Sequence, residues 1–238
     1  YELMTAVVHE LKTPITTIKE AISLLSEINY SKFDTQSKKI LKIAEEELDR
    51  LVEIVNNLLK ISAAKSENWK LKKAPYKIEE IIKEILKNYS LLTKRKKLYI
   101  KTKFATNTPK VLVDRERIYE AIANIIDNGI KFSPEGGKIQ ITTQLLSGKS
   151  LKLENPAVDP QKKYLKITIT DNGPGIPKEK LPLIFEGTNI KETTGIPLNL
   201  GLGLIITKKI IEMHNGVIWA ESNNGAKFSL ALPINNKN

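Results

Sequence analysis

Apolar residues recur at Met4, Val8, Leu11, Ile15, Ile18, Ile22 and Leu25, alternating steps of four and three that hold for about three heptads. That spacing predicts an amphipathic helix. A polar interval from Asn29 to Asp34 interrupts it, and Leu41, Ala44, Leu48, Leu51, Val55 and Leu58 then repeat the seam. The two segments read as a helical hairpin. One apolar face on each of two helices cannot be buried within a single hairpin, so pairing with a second copy into a four-helix bundle is expected, and with it a homodimer. From Ser62 to Pro75 the pattern lapses into Ser, Asn, Lys and Pro. We read residues 1–64 as the hairpin, 65–75 as a linker and 76–235 as a second domain.

Beyond the linker the rhythm changes. Helical periodicity runs from Ile78 to Leu92, a strand pattern follows at Leu98 to Phe104, and a helix is predicted over Asp114 to Phe132. Alternating stretches at Ile139 to Leu145 and Tyr164 to Asp171 read as strands joined by a polar connection, Ser147 to Gln161. A helix over Leu204 to His214 ends at Asn215-Gly216, and strands are expected at Val217 to Glu221 and Lys227 to Leu232. Several strands follow one another without a helix between them. The expected class is therefore α+β: the helical hairpin, then an α/β sandwich with a mixed sheet and helices on one face.

Composition narrows the chemistry. The chain has no cysteine, which excludes disulfides, thiolate metal sites and a cysteine nucleophile. Its formal charge is +11, but the lysines are spread along the whole length. The densest run, Lys94-Arg95-Lys96-Lys97, has no interleaved aromatics and reads as a solvated helix end, so no nucleic-acid partner is expected. No stretch approaches the roughly 18 apolar residues that span a bilayer. Because the sequence opens at Tyr1 inside a helical pattern, an upstream portion is expected, and any membrane contact would lie there.

Five short segments carry the chemistry. Val8-His9-Glu10-Leu11-Lys12-Thr13-Pro14 resembles the H box of sensor histidine kinases, and Asn124 to Phe132, with Asn128-Gly-Ile-Lys131 inside it, resembles their N box. Asp171-Asn-Gly173-Pro-Gly175-Ile176-Pro resembles the first glycine box, Pro182-Leu-Ile-Phe185-Glu the F box, and Gly201-Leu202-Gly203-Leu204 the second glycine box. All five stand in the family's order and cover nearly the whole chain.

The residues themselves support parts of this. On a helix His9 lies about 100° round from Val8, off the apolar seam, where its imidazole projects outward. A ring with an ordinary pKa near 6.5 is mostly neutral at neutral pH and can act as a nucleophile once its second nitrogen's proton is managed. Asn124, Asn128 and Lys131 share one helical stripe. Gly173 and Gly175 permit positive φ and close backbone approach, and Gly201 and Gly203 precede a helix whose first N–H groups can meet phosphate oxygens.

The resemblance implies the roles. Glu10 would orient and deprotonate the His9 imidazole, and Thr13, one turn on, would position water in a phosphatase reaction toward the partner. Asn128 would ligate Mg2+, with Asn124 and Lys131 at the phosphates of ATP. Phe132 stands where the family often has Tyr, so packing would replace a hydroxyl contact. Asp171 would accept a hydrogen bond from the adenine amino group, beside Ile176, and Glu186 to Asn199 would form a lid. Family members often place arginines in that lid, yet this chain has none after Arg117. Lys191, with Lys131 and Lys12, would supply the charge instead. The expected activity is ATP-dependent autophosphorylation of His9 and transfer to a response-regulator receiver aspartate, in the cytoplasmic portion of a membrane-anchored sensor. Phosphorylation within one subunit or between two stays open. Clamp ATPases of the gyrase and chaperone type share such a nucleotide site but lack a histidine on a dimeric hairpin, and a nucleotide-binding module without transfer is the other reading. His214, at a helix end before Asn215-Gly216, reads as capping or packing.

Overall fold

The computed structural model describes residues 14–25, 33–65, 70–186 and 202–234. These form two compact units, one of residues 14–65 with 202–206, the other of residues 70–186 with 207–234. No described helix is long and apolar enough to cross a membrane.

In the first unit, α1 (residues 14–25) and α2 (Thr35–Lys65) make the hairpin. Asp34 starts α2 as its N-cap: its carboxylate accepts from the Ser37 N–H at 2.6 Å, and that bond holds its pKa below the usual carboxylate value. The helix ends at Lys65, one residue into the stretch expected as linker. Ile15 and Val55 are buried against each other with Leu48 and Val52 beside them, and Lys19 reaches Asp49 across the pair at 2.5 Å. The rest of the described seam is less covered, with Ile22, Leu41 and Ala44 half-buried. Ile18 is 50%, Leu25 49% and Leu51 41% exposed, with Leu24, Ile40 and Ile43 exposed alongside. Met4, Val8 and Leu11 lie outside the described residues.

The second unit is built on five strands ordered β2-β4-β5-β7-β6: β2 (Tyr99–Lys103), β4 (Lys138–Ser147), β5 (Lys163–Asp171), β6 (Val217–Ser222) and β7 (Ala226–Ile234). β2 runs parallel to β4 and all other pairs are antiparallel, so the sheet is mixed, as expected. Period-two alternation turns Ile139, Ile141, Ile167, Ile169, Leu230 and Leu232 to one face, where all are buried. Helices α3 (Ile78–Asn88) and α5 (Arg115–Phe132) contribute Ile78, Ile81, Ile82 and Ile85, and Ile118, Ile122, Ile125, Ile126 and Ile130, to the buried core. α5 contacts both α3 and β5.

Three differences from the expected elements have physical causes. The helix predicted over 78–92 divides at Tyr89, whose ψ of 2° interrupts it before the short α4 (Ser90–Arg95). Two three-residue strands, β1 (Ala74–Tyr76) and β3 (Val111–Val113), pair antiparallel apart from the main sheet, and β1 occupies the end of the expected linker. Runs that short carry no readable alternation, and Pro75 argues against a strand. Third, the connection expected to be merely polar is a packed cover on the sheet's opposite face. It opens as the short helix α6 (Gly148–Leu151), whose N-cap Ser147 accepts from the Ser150 N–H at 3.2 Å. Leu151 and Val158 are buried with Tyr164 and Ala231, against Leu146, Val217 and Trp219. Burying each such side chain contributes about 1.5–3 kcal/mol. The Lys166 side chain is 5% exposed, ion-paired to Glu154 with its ammonium 5.3 Å from the Trp219 ring centroid.

Candidate functional site

The stripe Asn124, Asn128 and Lys131 lies on α5, a helix whose start and end are both fixed. Asp114 is the N-cap: one carboxylate oxygen accepts from the Arg117 N–H at 3.2 Å and the other from the Lys72 N–H at 2.9 Å. At the far end the Lys96 ammonium donates to the carbonyls of Ile130 and Lys131 at 2.7 and 2.8 Å, and Lys97 pairs with Glu135 at 2.7 Å. Two of the four cations in the run read as a solvated helix end therefore hold the N-box helix and the turn after it, with Lys96 in the favourable position for a cation at a helix C-terminus.

Asn124 and Asn128 are half-buried and Lys131 is exposed, its ammonium 5.9 Å from the Phe132 ring centroid. Asn124 donates to Thr207 Oγ1 at 3.4 Å, while Asn128's amide makes no hydrogen bond to another described residue. Gly129 faces the strand ends, where a Cβ would make ordinary van der Waals contact with Ile139 Cδ1 at 3.5 Å and Asp171 Cβ at 3.9 Å.

That contact joins the N box to the first glycine box. Asp171, 6% exposed at the end of β5, accepts on Oδ1 from the Gly173 N–H at 2.9 Å and the Ala226 N–H at 3.1 Å. Its Oδ2 receives no hydrogen bond from another described residue. A Cβ on Gly173 would come 2.8 Å from the Phe132 carbonyl oxygen, so only glycine lets this loop lie against the end of α5. Gly175 has φ +77°, and the Ile176 N–H donates to Ser222 Oγ at 2.7 Å. Phe185 of the F box meets Phe228 edge-on, with centroids 6.4 Å apart.

Asn124, Asn128, Lys131, Phe132, Asp171, Gly173, Gly175 and Ile176 thus line one end of the second unit. Gly203 and the buried Leu204 stand in the first turn of α7 (Leu202–Met213), within the first unit's residues. His9, Glu10, Lys12, Thr13, Lys191 and Gly201 lie outside the described residues, as does the side chain of Leu202. Among the described residues no three His, Cys, Asp or Glu gather in a way that could hold a metal by themselves. Sequence reasoning missed Ser222, Gly225 and Ala226. The Asn224-Gly225 pair is a hairpin-turn signal, but nothing local says that the turn touches Asp171.

His214 is 4% exposed at the end of α7. Its Nε2 accepts from the Asp114 N–H at 2.9 Å and its Nδ1 lies 2.7 Å from the Ile210 carbonyl oxygen, so Nδ1 carries the proton and the ring is neutral. Burial pushes its pKa below the ordinary value, with the nearby Lys73 adding to the effect while the Ile210 carbonyl and Asp114 oppose it. A buried ring with both nitrogens hydrogen-bonded is in keeping with the capping or packing expected of it.

Residues 113–236 match the family described as histidine kinase-, DNA gyrase B-, and HSP90-like ATPase, and residues 1–67 match the His Kinase A (phospho-acceptor) domain. The adaptive-response sensory kinase SasA of Microcystis aeruginosa is 28% identical over 241 residues, which cover 98% of this chain and 59% of SasA. The sensor histidine kinase WalK of Bacillus subtilis is also 28% identical, covering 98% of this chain and 36% of WalK. The crystal structure of histidine kinase ThkA in complex with response regulator protein TrrA has a TM-score of 0.66 at 26% identity, covering 98% of this chain and 61% of that one. The chain belongs to the histidine kinases, as the catalytic core of a sensor kinase in which a phospho-acceptor domain precedes an ATPase domain. It spans 59% of the length of SasA and less of WalK.

Proposed function

We propose that this core binds ATP with Mg2+, phosphorylates His9 and passes the phosphoryl group to an aspartate of a response-regulator receiver domain. The observation that carries the reading is the Asp171 carboxylate: Oδ1 is held by two backbone amides and Oδ2 is left as an acceptor, a few ångströms from the N-box helix. A carboxylate so arranged suits the exocyclic amino group of adenine. The Asn128 amide oxygen can serve a hard cation that prefers oxygen and keeps several waters, the remaining ligands coming from the triphosphate. Mg2+ would neutralise charge on the transferring phosphoryl group.

The remaining roles follow. Lys131, with Lys12 and Lys191, offsets phosphate charge in place of lid arginines; Glu10 holds the proton of the His9 imidazole during in-line attack. Asn124 binds phosphate through water, and Gly201 to Leu204 present N–H groups to it. The working division is hairpin 1–64, linker 65–75 and catalytic domain 76–235. The exposed Ile18, Leu25 and Leu51 support a homodimer through the hairpin, since a second copy would bury the half of the seam one chain leaves open. The receiver docks on the same hairpin, below His9, and the ThkA structure in complex with response regulator protein TrrA supports a response regulator as the class of partner. Thr13 adds phosphatase activity toward the regulator, and the whole is the cytoplasmic part of a membrane-anchored sensor.

The test is incubation with γ-labelled ATP and Mg2+, comparing the native chain with His9→Gln and Asn128→Asp. Acid-labile label is expected on the native chain and on neither variant. Nucleotide binding without label would replace the proposal with a non-transferring module. Thr13→Arg should abolish regulator dephosphorylation and leave labelling intact.

A further inference from the structure

We propose that Ser222, through the β6–β7 turn, sets the direction of the Asp171 carboxylate and so makes the site select adenine over guanine. This rests on the reading that the site binds an adenine nucleotide.

The two oxygens of a carboxylate are equivalent until the surroundings distinguish them. Here the distinction comes from Gly173 N–H and Ala226 N–H, both aimed at Oδ1. The first belongs to the same loop as Asp171. The second is 55 residues away and is placed by the turn that ends β6.

That turn is held at one side chain. Ser222 Oγ accepts from the Ile176 N–H at 2.7 Å and donates to the Gly225 carbonyl at 3.4 Å, so one hydroxyl ties the far end of the glycine box to the residue before Ala226. The surrounding backbone is shaped for it. A Cβ on Gly175 would stand 2.6 Å from this hydroxyl oxygen. Gly225 has φ +125° and lies so close to the Asp171 carbonyl oxygen that a Cβ would overlap it. Two glycines in left-handed or glycine-only conformations thus flank Ser222, one on each segment it joins.

With Oδ1 engaged, Oδ2 is the acceptor that faces a ligand. Adenine presents an amino group there, whereas guanine presents a carbonyl oxygen, and two acceptors repel. Without the hydroxyl, Ile176 N–H loses its acceptor, the turn loosens and Ala226 no longer fixes which oxygen is engaged. Binding of adenine then weakens while guanine, which never used Oδ2, is little changed. Ser222 acts as a positioning residue and touches no reacting atom.

The experiment measures affinities of the full 238-residue chain for MgADP by calorimetry and for MgGDP by competition, in native, Ser222→Ala and Ser222→Thr proteins. Loss of one well-placed hydrogen bond predicts about tenfold weaker ADP binding for Ser222→Ala. GDP binding should change less than twofold, and Ser222→Thr, which keeps the hydroxyl, should restore the ratio. Label uptake at saturating ATP should stay within about twofold of native, as expected for lost ground-state binding. Should Ser222→Ala melt below the assay temperature, Ser222→Cys gives the same comparison with a weak acceptor of similar size. ADP and GDP weakening together, or neither changing, would overturn the inference. A native chain that binds no adenine nucleotide would instead overturn the function proposed above, and this inference with it.

Discussion

Acidification below about pH 6.5 should loosen the second unit through His214. The folded ring is neutral, donating from Nδ1 to Ile210 and accepting on Nε2 from the Asp114 N–H. A proton on Nε2 would set two donors face to face. Burial holds the folded pKa below the ordinary 6.5, so between those two values the unfolded chain binds more protons than the folded one. The stabilising contribution is therefore whole above about pH 6.5 and is lost as pH falls toward the folded pKa, at no more than about 1.4 kcal/mol per pH unit. Removing the ring gives the other half of the comparison. His214→Leu leaves the Asp114 N–H without its acceptor at a cost of about 1–3 kcal/mol, equivalent to roughly 3–10 °C of melting temperature for a domain of this size. The chain has two histidines, so a His9→Gln background leaves His214 as the only imidazole. Melting followed by circular dichroism from about pH 8 to about pH 5 should show a gap between that background and the double variant carrying His214→Leu that narrows on acidification. A gap that stays constant or widens would refute the neutral, buried assignment.

Lys96→Ala removes both donors from the carbonyls at the end of the N-box helix and should lower stability by about 1 kcal/mol, where Lys94→Ala leaves melting unchanged; equal effects would make the run a general charge effect. Gly225→Ala forces a side chain into φ +125° and onto the Asp171 carbonyl, so a loss of at least about 2 kcal/mol and of ADP binding is expected by melting and calorimetry; native-like values would contradict the close approach. Ile18→Glu combined with Leu51→Glu places charges on the open seam of the hairpin and should give a monomer mass by sedimentation equilibrium. Persistence of the dimer would show that other residues hold it.

Where the backbone dictates the residue type, the sequence was informative. Gly173 and Gly175 were readable as permissive backbone, in keeping with the close approach of the first to Phe132 and the φ of +77° at the second, whereas Asp171 and Asn128 were singled out by resemblance and their roles are proposals. The long elements were readable for a related reason: α5 buries Ile118, Ile122, Ile125 and Ile126 on one face, and a repeat of that length leaves little choice of element. Short runs failed the same test. Val111–Val113 offers three residues with no alternation to count, and the polar stretch from Ser147 conceals Leu151 and Val158, which are too few and too irregularly spaced to announce a core. Lys96 looked like its neighbours in a basic run, and only the position of α5 separates its two carbonyl contacts from mere solvation.

Two of the parts of the site that stayed hidden, Gly225 and Ala226, act through main-chain position, and that position is set by sheet register; the third, Ser222, acts through its hydroxyl. Thr170 pairs with Lys227, which brings Ala226 beside Asp171. The same register sets Ile167 opposite Leu230 and Ile169 opposite Phe228 on the helix-covered face. A one-residue slip of β7 would turn those apolar side chains to the other face and would also withdraw the Ala226 N–H from Oδ1. The two losses cannot occur separately. The alternation that buries the core is therefore also what aims the carboxylate, and a residue as featureless as Ala226 belongs to the site because of where β7 begins.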